Sequence, residues 1–249
     1  MKRLLASLFA VIVGVAAVAA DGVVSLRFSG TGVGSALPAG WKPYIMSRRH
    51  ALAAISIVAD AGTNVLHIDA NHAAGAIGRE LDLPASTRLS WRWKIDHSVA
   101  AADFMHKRGD DFAARVYVFF DLPASALTFG QRFKLRVARA VLGYNPPRAA
   151  LCYVWDNKHR VGTIATNAFY SGVHMIVLQS GDNRAGTWQL QQRDLASDFR
   201  AAFHRPAPRI TGVALAADTD NTGSHANAWF GDLTFTPAGS ANQDVKDPP

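Results

Sequence analysis

From Asp110 to Asp121 the chain reads Asp-Asp-Phe-Ala-Ala-Arg-Val-Tyr-Val-Phe-Phe-Asp. Successive side chains of a strand point to opposite faces. The segment is therefore expected to form one long strand, with Phe112, Ala114, Val116, Val118 and Phe120 on a core face. Ala113, Arg115, Tyr117, Phe119 and Asp121 fall on the other face, where a cation and two aromatics are unusual for a plain solvated surface. The same period of two recurs in Leu89-Ser90-Trp91-Arg92-Trp93-Lys94-Ile95-Asp96. There Leu89, Trp91, Trp93 and Ile95 share a face expected in the core, and Arg92, Lys94 and Asp96 share its opposite.

Further short strands are expected at 23–28, 54–58, 65–70, 75–83, 149–155, 168–170, 174–180, 188–193, 209–217 and 227–236, with Gly, Asn and Asp turns between them. In the last strand Trp229, Gly231, Leu233 and Phe235 are expected opposite Phe230, Asp232 and Thr234. Cys152 is the only cysteine, so no intrachain disulfide can hold the fold; the thiol is expected to be buried and inert. A hydrophobic content of 49% is enough for a full core. This pattern argues for an all-β fold, a jelly-roll-like β-sandwich whose first and last strands could be neighbours.

One helix interrupts the β pattern. Between Leu127 and Tyr144, Phe129, Phe133, Val137 and Val141 recur every four residues, with Arg132, Lys134, Arg136 and Arg139 between them. This inserted amphipathic helix is expected to pack its apolar stripe against the sandwich edge; lying on an anionic membrane surface is the alternative. The stretch from Asp194 to Phe203 is ambiguous and fits a short helix, with Leu195, Phe199 and Phe203 four apart.

Residues 1–20 have the layout of a signal peptide. Lys2 and Arg3 precede an apolar run, and Val18-Ala19-Ala20 offers a cleavage site near Ala20. An uncleaved anchor is the alternative. Residues 21–237 then form the sandwich domain, and the polar stretch 238–249 is expected to be a disordered tail. A periplasmic or secreted location follows, with no transmembrane segment after cleavage. The net charge of +7 is spread along the chain without a basic block, which argues against nucleic acid and allows weak affinity for anionic envelope polymers.

Two constellations carry chemistry. Asp218-Thr219-Asp220-Asn221-Thr222-Gly223 offers oxygens suited to calcium, with Asp218, Asp220 and Asn221 as ligands and Asp232 as the extra one. A turn that joins two strands through local Asp and Asn hydrogen bonds is the plainer reading. Asp110, Asp111, Arg115 and Tyr117 form a candidate ligand site, the polar groups bonding sugar hydroxyls while an aromatic ring stacks. Arg115 paired with Asp96 or Asp121 is its structural alternative. No His-Glu-x-x-His or Gly-x-Ser-x-Gly spacing occurs, and no catalytic residue is assigned.

Leu37-Pro38-Ala39-Gly40-Trp41, Leu89 to Lys94, Gly109 to Val118 and Asp218 to Gly223 together resemble domain-of-unknown-function family 3047, a family of secreted bacterial proteins. The resemblance implies a shared fold and a secreted setting, not a catalytic role. Trp229-Phe230-Gly231-Asp232-Leu233 after an acidic loop is also similar to the last strand of jelly-roll carbohydrate-binding modules. The leading expectation is a non-catalytic protein that binds a carbohydrate or envelope polymer. The alternatives are a glycoside hydrolase or lyase using carboxylates such as Asp111 with Asp121 or Asp232, and a structural envelope protein.

Overall fold

A computed structural model describes residues 22–44, 51–142 and 147–239. The signal segment expected at 1–20 and most of the expected tail lie outside the described residues. The chain runs β1 (Val24–Leu26), β2 (Lys42–Pro43), β3 (Ala51–Leu52), β4 (Ala54–Asp60), β5 (Thr63–Asn71), β6 (Ala73–Leu83), β7 (Thr87–Ile95) and β8 (Phe112–Phe120). Helix α1 (Phe129–Leu142) follows, then β9 (Ala149–Asp156), β10 (Ile164–Thr166), β11 (Val173–Ser180) and β12 (Gln189–Asp194). Helix α2 (Leu195–Phe203), β13 (Ile210–Asp218) and β14 (His225–Pro237) complete it.

The strands form two sheets of a sandwich. The eight-stranded sheet has the order β10-β11-β9-β8-β13-β6-β2, with β3 also on β6; the six-stranded sheet has the order β12-β7-β14-β5-β4, with β1 on β14. The first and last strands do pair, Val24 opposite Phe235. β7 alternates as expected, and Trp91 and Trp93 are buried. They meet β9 across the core, Trp91 with Tyr153 at 5.4 Å between ring centroids and Trp93 with Trp155 at 5.8 Å. Burying each such ring contributes roughly 2–3 kcal/mol over leaving it exposed, so these contacts hold the two sheets together.

Register shifts interrupt several strand pairs, and those on β8 and β14 redirect side chains near the candidate sites. On β8, Phe112 lies opposite Asp218 and Arg115 opposite Ala216, so β8 carries one more residue than β13 over that step. A bulge of this kind shifts the side-chain parity. Phe112 consequently leaves the face of Ala114, Val116 and Val118 and joins Phe104, Cys152, Val154, Met175 and Val177 in a second, smaller core on the outer side of the eight-stranded sheet. On β14, Phe230 lies opposite Trp93 and Leu233 opposite Trp91, so Phe230, Leu233 and Phe235 all enter the main core. Cys152 is buried in the second core, and burial pushes its thiol up to about 12.

The strand expected at 168–170 is instead a turn, because the Asn167 side-chain oxygen accepts from the backbone of Phe169 and Tyr170. The ambiguous 194–203 stretch is helix α2, whose Asp194 carboxylate accepts from Ser197 N at 2.9 Å. Such a cap satisfies one of the orphan amides of the first turn. Helix α1 forms as expected but is turned the other way. Phe129, Phe133 and Val137 are exposed, and among the described side chains of the helix Leu135 packs on the core. Among the described residues no helix is long and apolar enough to cross a membrane.

Candidate functional site

The predicted ligand site is a buried ion-pair cluster. Phe104, carried by the loop between β7 and β8, packs on Phe112 in the outer core that Tyr117 lines, and Arg115 is only 3% exposed. The Arg115 guanidinium donates from Nη2 to Asp218 Oδ2 at 2.9 Å and to the Asp110 carbonyl, and from Nη1 to Tyr117 Oη at 3.1 Å. It also lies over the Phe112 ring at 4.5 Å. Asp110 Oδ2 accepts from Asn167 Nδ2 at 2.9 Å. Arg115 therefore pairs with Asp218 and Asp110, not with Asp96 or Asp121, and it is buried.

Asp111 ties the strand to the acidic loop. Its Oδ1 accepts from Asn221 N at 3.2 Å and Asn221 Nδ2 at 3.3 Å. Its Oδ2 accepts from Thr222 N at 2.7 Å and Thr222 Oγ1 at 2.6 Å. One carboxylate oxygen each from Asp111, Asp218 and Asp220 lies within 4.8 Å of the others. Burial pushes Asp218 up to about 8; Arg115 opposes that shift, and Asp220, Asp111 and Asp110 add to it. Arg115 thus lies between Asp110 and Asp218, with Asp111 and Asp220 grouped around Asp218. Asp232, expected as a fourth metal ligand, is on β14 in the other sheet. Its oxygens accept from Phe28 N at 2.7 Å, Ser29 N at 2.9 Å and Ser29 Oγ at 2.6 Å, so it caps the turn after β1 instead.

Polar and aromatic groups meet on the outer face of the six-stranded sheet. Trp229 on β14 is opposite Lys94 on one side and His67 on the other. Its ring stacks on His67 at 4.9 Å, with Lys94 Nζ 4.6 Å from the ring centroid. Trp188, just before β12, lies under Arg92 at 4.6 Å and donates from Nε1 to Asp60 Oδ1 at 2.9 Å. Asp60 also pairs with Lys94. Asp60 ends β4 and Trp188 enters β12, so the two edges of the sheet converge above Lys94 and Trp229. Beside them His67 Nε2 is 2.8 Å from Asn227 Oδ1, and Asn227 Nδ2 donates to Asp96 Oδ2 at 2.8 Å. Burial pushes Asp60 up, but hydrogen bonds from Lys94 and Trp188, and the charges of Lys94 and Arg92, leave it below the usual carboxylate range. These residues are half-buried. The sequence reading left Trp188 and Trp229 unassigned; the available signal was that Arg92 and Lys94 sit on the face opposite Trp91 and Trp93.

Residues 39–234 match a family described as "Protein of unknown function (DUF3047)". The chain belongs to that family. Both the Arg115 cluster and the Trp229 face of this DUF3047 protein fall within the matched residues. No curated protein matches the sequence. Among solved structures, a cellulose-induced protein is 10% identical with a TM-score of 0.47, covering 86% of this chain and 96% of that one. A family 12 xyloglucanase from Bacillus licheniformis, in complex with ligand, is 7% identical with a TM-score of 0.45, covering 86% and 98%. An arabinose-bound α-L-arabinofuranosidase is 8% identical with a TM-score of 0.42; the DUF3047 chain is covered over 85% of its length and spans 25% of that protein. The likeness is confined to fold.

Proposed function

We propose that the protein binds a carbohydrate or envelope polymer, in a periplasmic or secreted setting, on the outer face of the six-stranded sheet. One observation carries this reading: Trp188, Trp229 and His67 lie together among Arg92, Lys94, Asp60 and Asn227 on a half-buried, curved surface. Aromatic faces with a few placed polar groups are what ligand sites use. Stacking on the rings gives contact area, and the charged and amide groups bond hydroxyls or carboxylates. Binding is favoured over turnover because a glycosidase needs one carboxyl held protonated beside a second that is ionised. Asp60, the acid that joins Trp188 and Lys94 on this face, is held ionised by its donors.

The test is a thermal melt across neutral and anionic polysaccharides, paired with an assay for new reducing ends. A ligand that binds the folded state raises the melting temperature by mass action. The expected outcome is a rise with at least one polysaccharide and no new reducing ends. Release of reducing ends would replace binding with hydrolysis.

Calcium enters the same reading as a structural ion at Asp111, Asp218 and Asp220, with Asn221 in the same loop. Three carboxylate oxygens are part of the six to eight that calcium takes. Calcium is expected to raise the melting temperature of the wild type and not of Asp218→Asn. Coincident melts in calcium and in EDTA would discard the ion and leave Arg115 and a proton as the counter-charges.

A further inference from the structure

Helix α1 turns its apolar stripe away from the domain. At 3.6 residues per turn, Phe129, Phe133 and Val137 form one stripe, opposite the side on which Leu135 meets the core. The three are 80%, 58% and 48% exposed. Within its fourteen residues α1 carries Arg132, Lys134, Arg136 and Arg139 and no acid. Arg132 and Arg136 line a groove of about 260 Å³ with Phe129 and Phe133. Arg136 also lines a cavity of about 500 Å³ between α1 and the sheet, together with Arg139, Arg148, Asp121 and Leu135. Arg148 is 3.5 Å from Asp121 and donates to the Leu122 carbonyl at 3.1 Å. Among the described residues Arg136 and Arg139 have neither an ion-pair nor a hydrogen-bond partner.

We propose that α1 docks the protein on an anionic lipid surface, with Phe129, Phe133 and Val137 entering the interface and Arg136, Arg139 and Arg148 receiving lipid phosphates. Charge complementarity selects this occupant. A second copy would set one cationic helix against another, and a soluble polyanion would leave the phenylalanine stripe in water. An anionic bilayer takes up both, because amphipathic helices with a basic polar face bury their apolar side at the headgroup boundary. Arginine suits phosphate through its paired donors.

The experiment is co-sedimentation of the protein with phosphatidylcholine vesicles, with and without phosphatidylglycerol. Sedimentation is expected only with phosphatidylglycerol. At about 1 kcal/mol per cation near an anionic surface, Arg136→Gln with Arg139→Gln weakens partitioning about thirtyfold. Phe129→Ser with Phe133→Ser lowers it to the level of neutral vesicles. All four side chains are solvent-facing, so circular dichroism melts of both variants should match the wild type. Equal sedimentation with both vesicles, or none with either, would overturn docking. So would a dimer in sedimentation equilibrium that Phe129→Ser with Phe133→Ser dissociates. A melting-temperature rise with inorganic phosphate, without vesicle binding, would make the cavity a soluble-anion pocket and overturn it as well.

Discussion

Arg115 is a buried cation held between carboxylates. Asp110 and Asp218 flank it, and Asp111 and Asp220 lie beside Asp218. Removing one partner of a buried pair leaves an uncompensated charge. Arg115→Met is therefore expected to cost about 3–5 kcal/mol in denaturant unfolding, whereas a wild-type midpoint would show the pair to be dispensable. Asp218 sets a pH dependence. Its folded pKa of about 8 stands above that of an unfolded Asp. Its stabilising contribution is complete below about pH 4 and is lost as pH rises through about 8. The stability of the wild type relative to Asp218→Asn should fall across that window. A difference that rises with pH would place the Asp218 pKa on the wrong side of its unfolded value.

At the scale of the element, the bulges on β8 and β14 account for most of what the sequence concealed. The alternation of β7 is uninterrupted, so Trp91, Trp93 and the opposite face of Arg92 and Lys94 were legible directly. On β8 the extra residue sends Phe112 outward and leaves Arg115 beneath the outer core. A bulge has no sequence marker as firm as a turn glycine, and one inserted residue reverses every parity beyond it. On β14 the irregularity does carry a marker, Gly231. A Cβ there would meet Arg92 Cγ at 2.6 Å, so the missing side chain lets Arg92 cross the strand toward Trp188. Gly231→Ala is expected to cost about 1–3 kcal/mol by overpacking, with a change in tryptophan emission as Arg92 leaves the ring; unchanged stability and emission would contradict that contact. For α1 the spacing disclosed the helix but not its roll. The placement of Leu135 against the core and the exposure of Phe129, Phe133 and Val137 reveal which side faces out.

Across the whole molecule, the sandwich was readable because strand spacing, turns and the lone cysteine all point to one large core. The order of strands was not. That order brings Trp229 between Lys94 and His67, and closes Trp188 onto Asp60 from the opposite edge. Residues spaced from Asp60 to Trp229 share a surface only after the chain has paired β14 with both β5 and β7, so pattern along the sequence could not assemble them. The Arg115 cluster, by contrast, was visible as a constellation; its burial by the β7–β8 loop was not. The measurement that tests the binding face most directly is calorimetric titration of the wild type, Trp229→Ala and Arg115→Lys with the polysaccharide that most raises the wild-type melting temperature. Trp229→Ala should bind at least about thirtyfold more weakly, the loss of about 2 kcal/mol typical of an aromatic anchor, with Arg115→Lys unchanged where it folds. Wild-type affinity in Trp229→Ala, or loss confined to Arg115→Lys, would move the site off the six-stranded sheet.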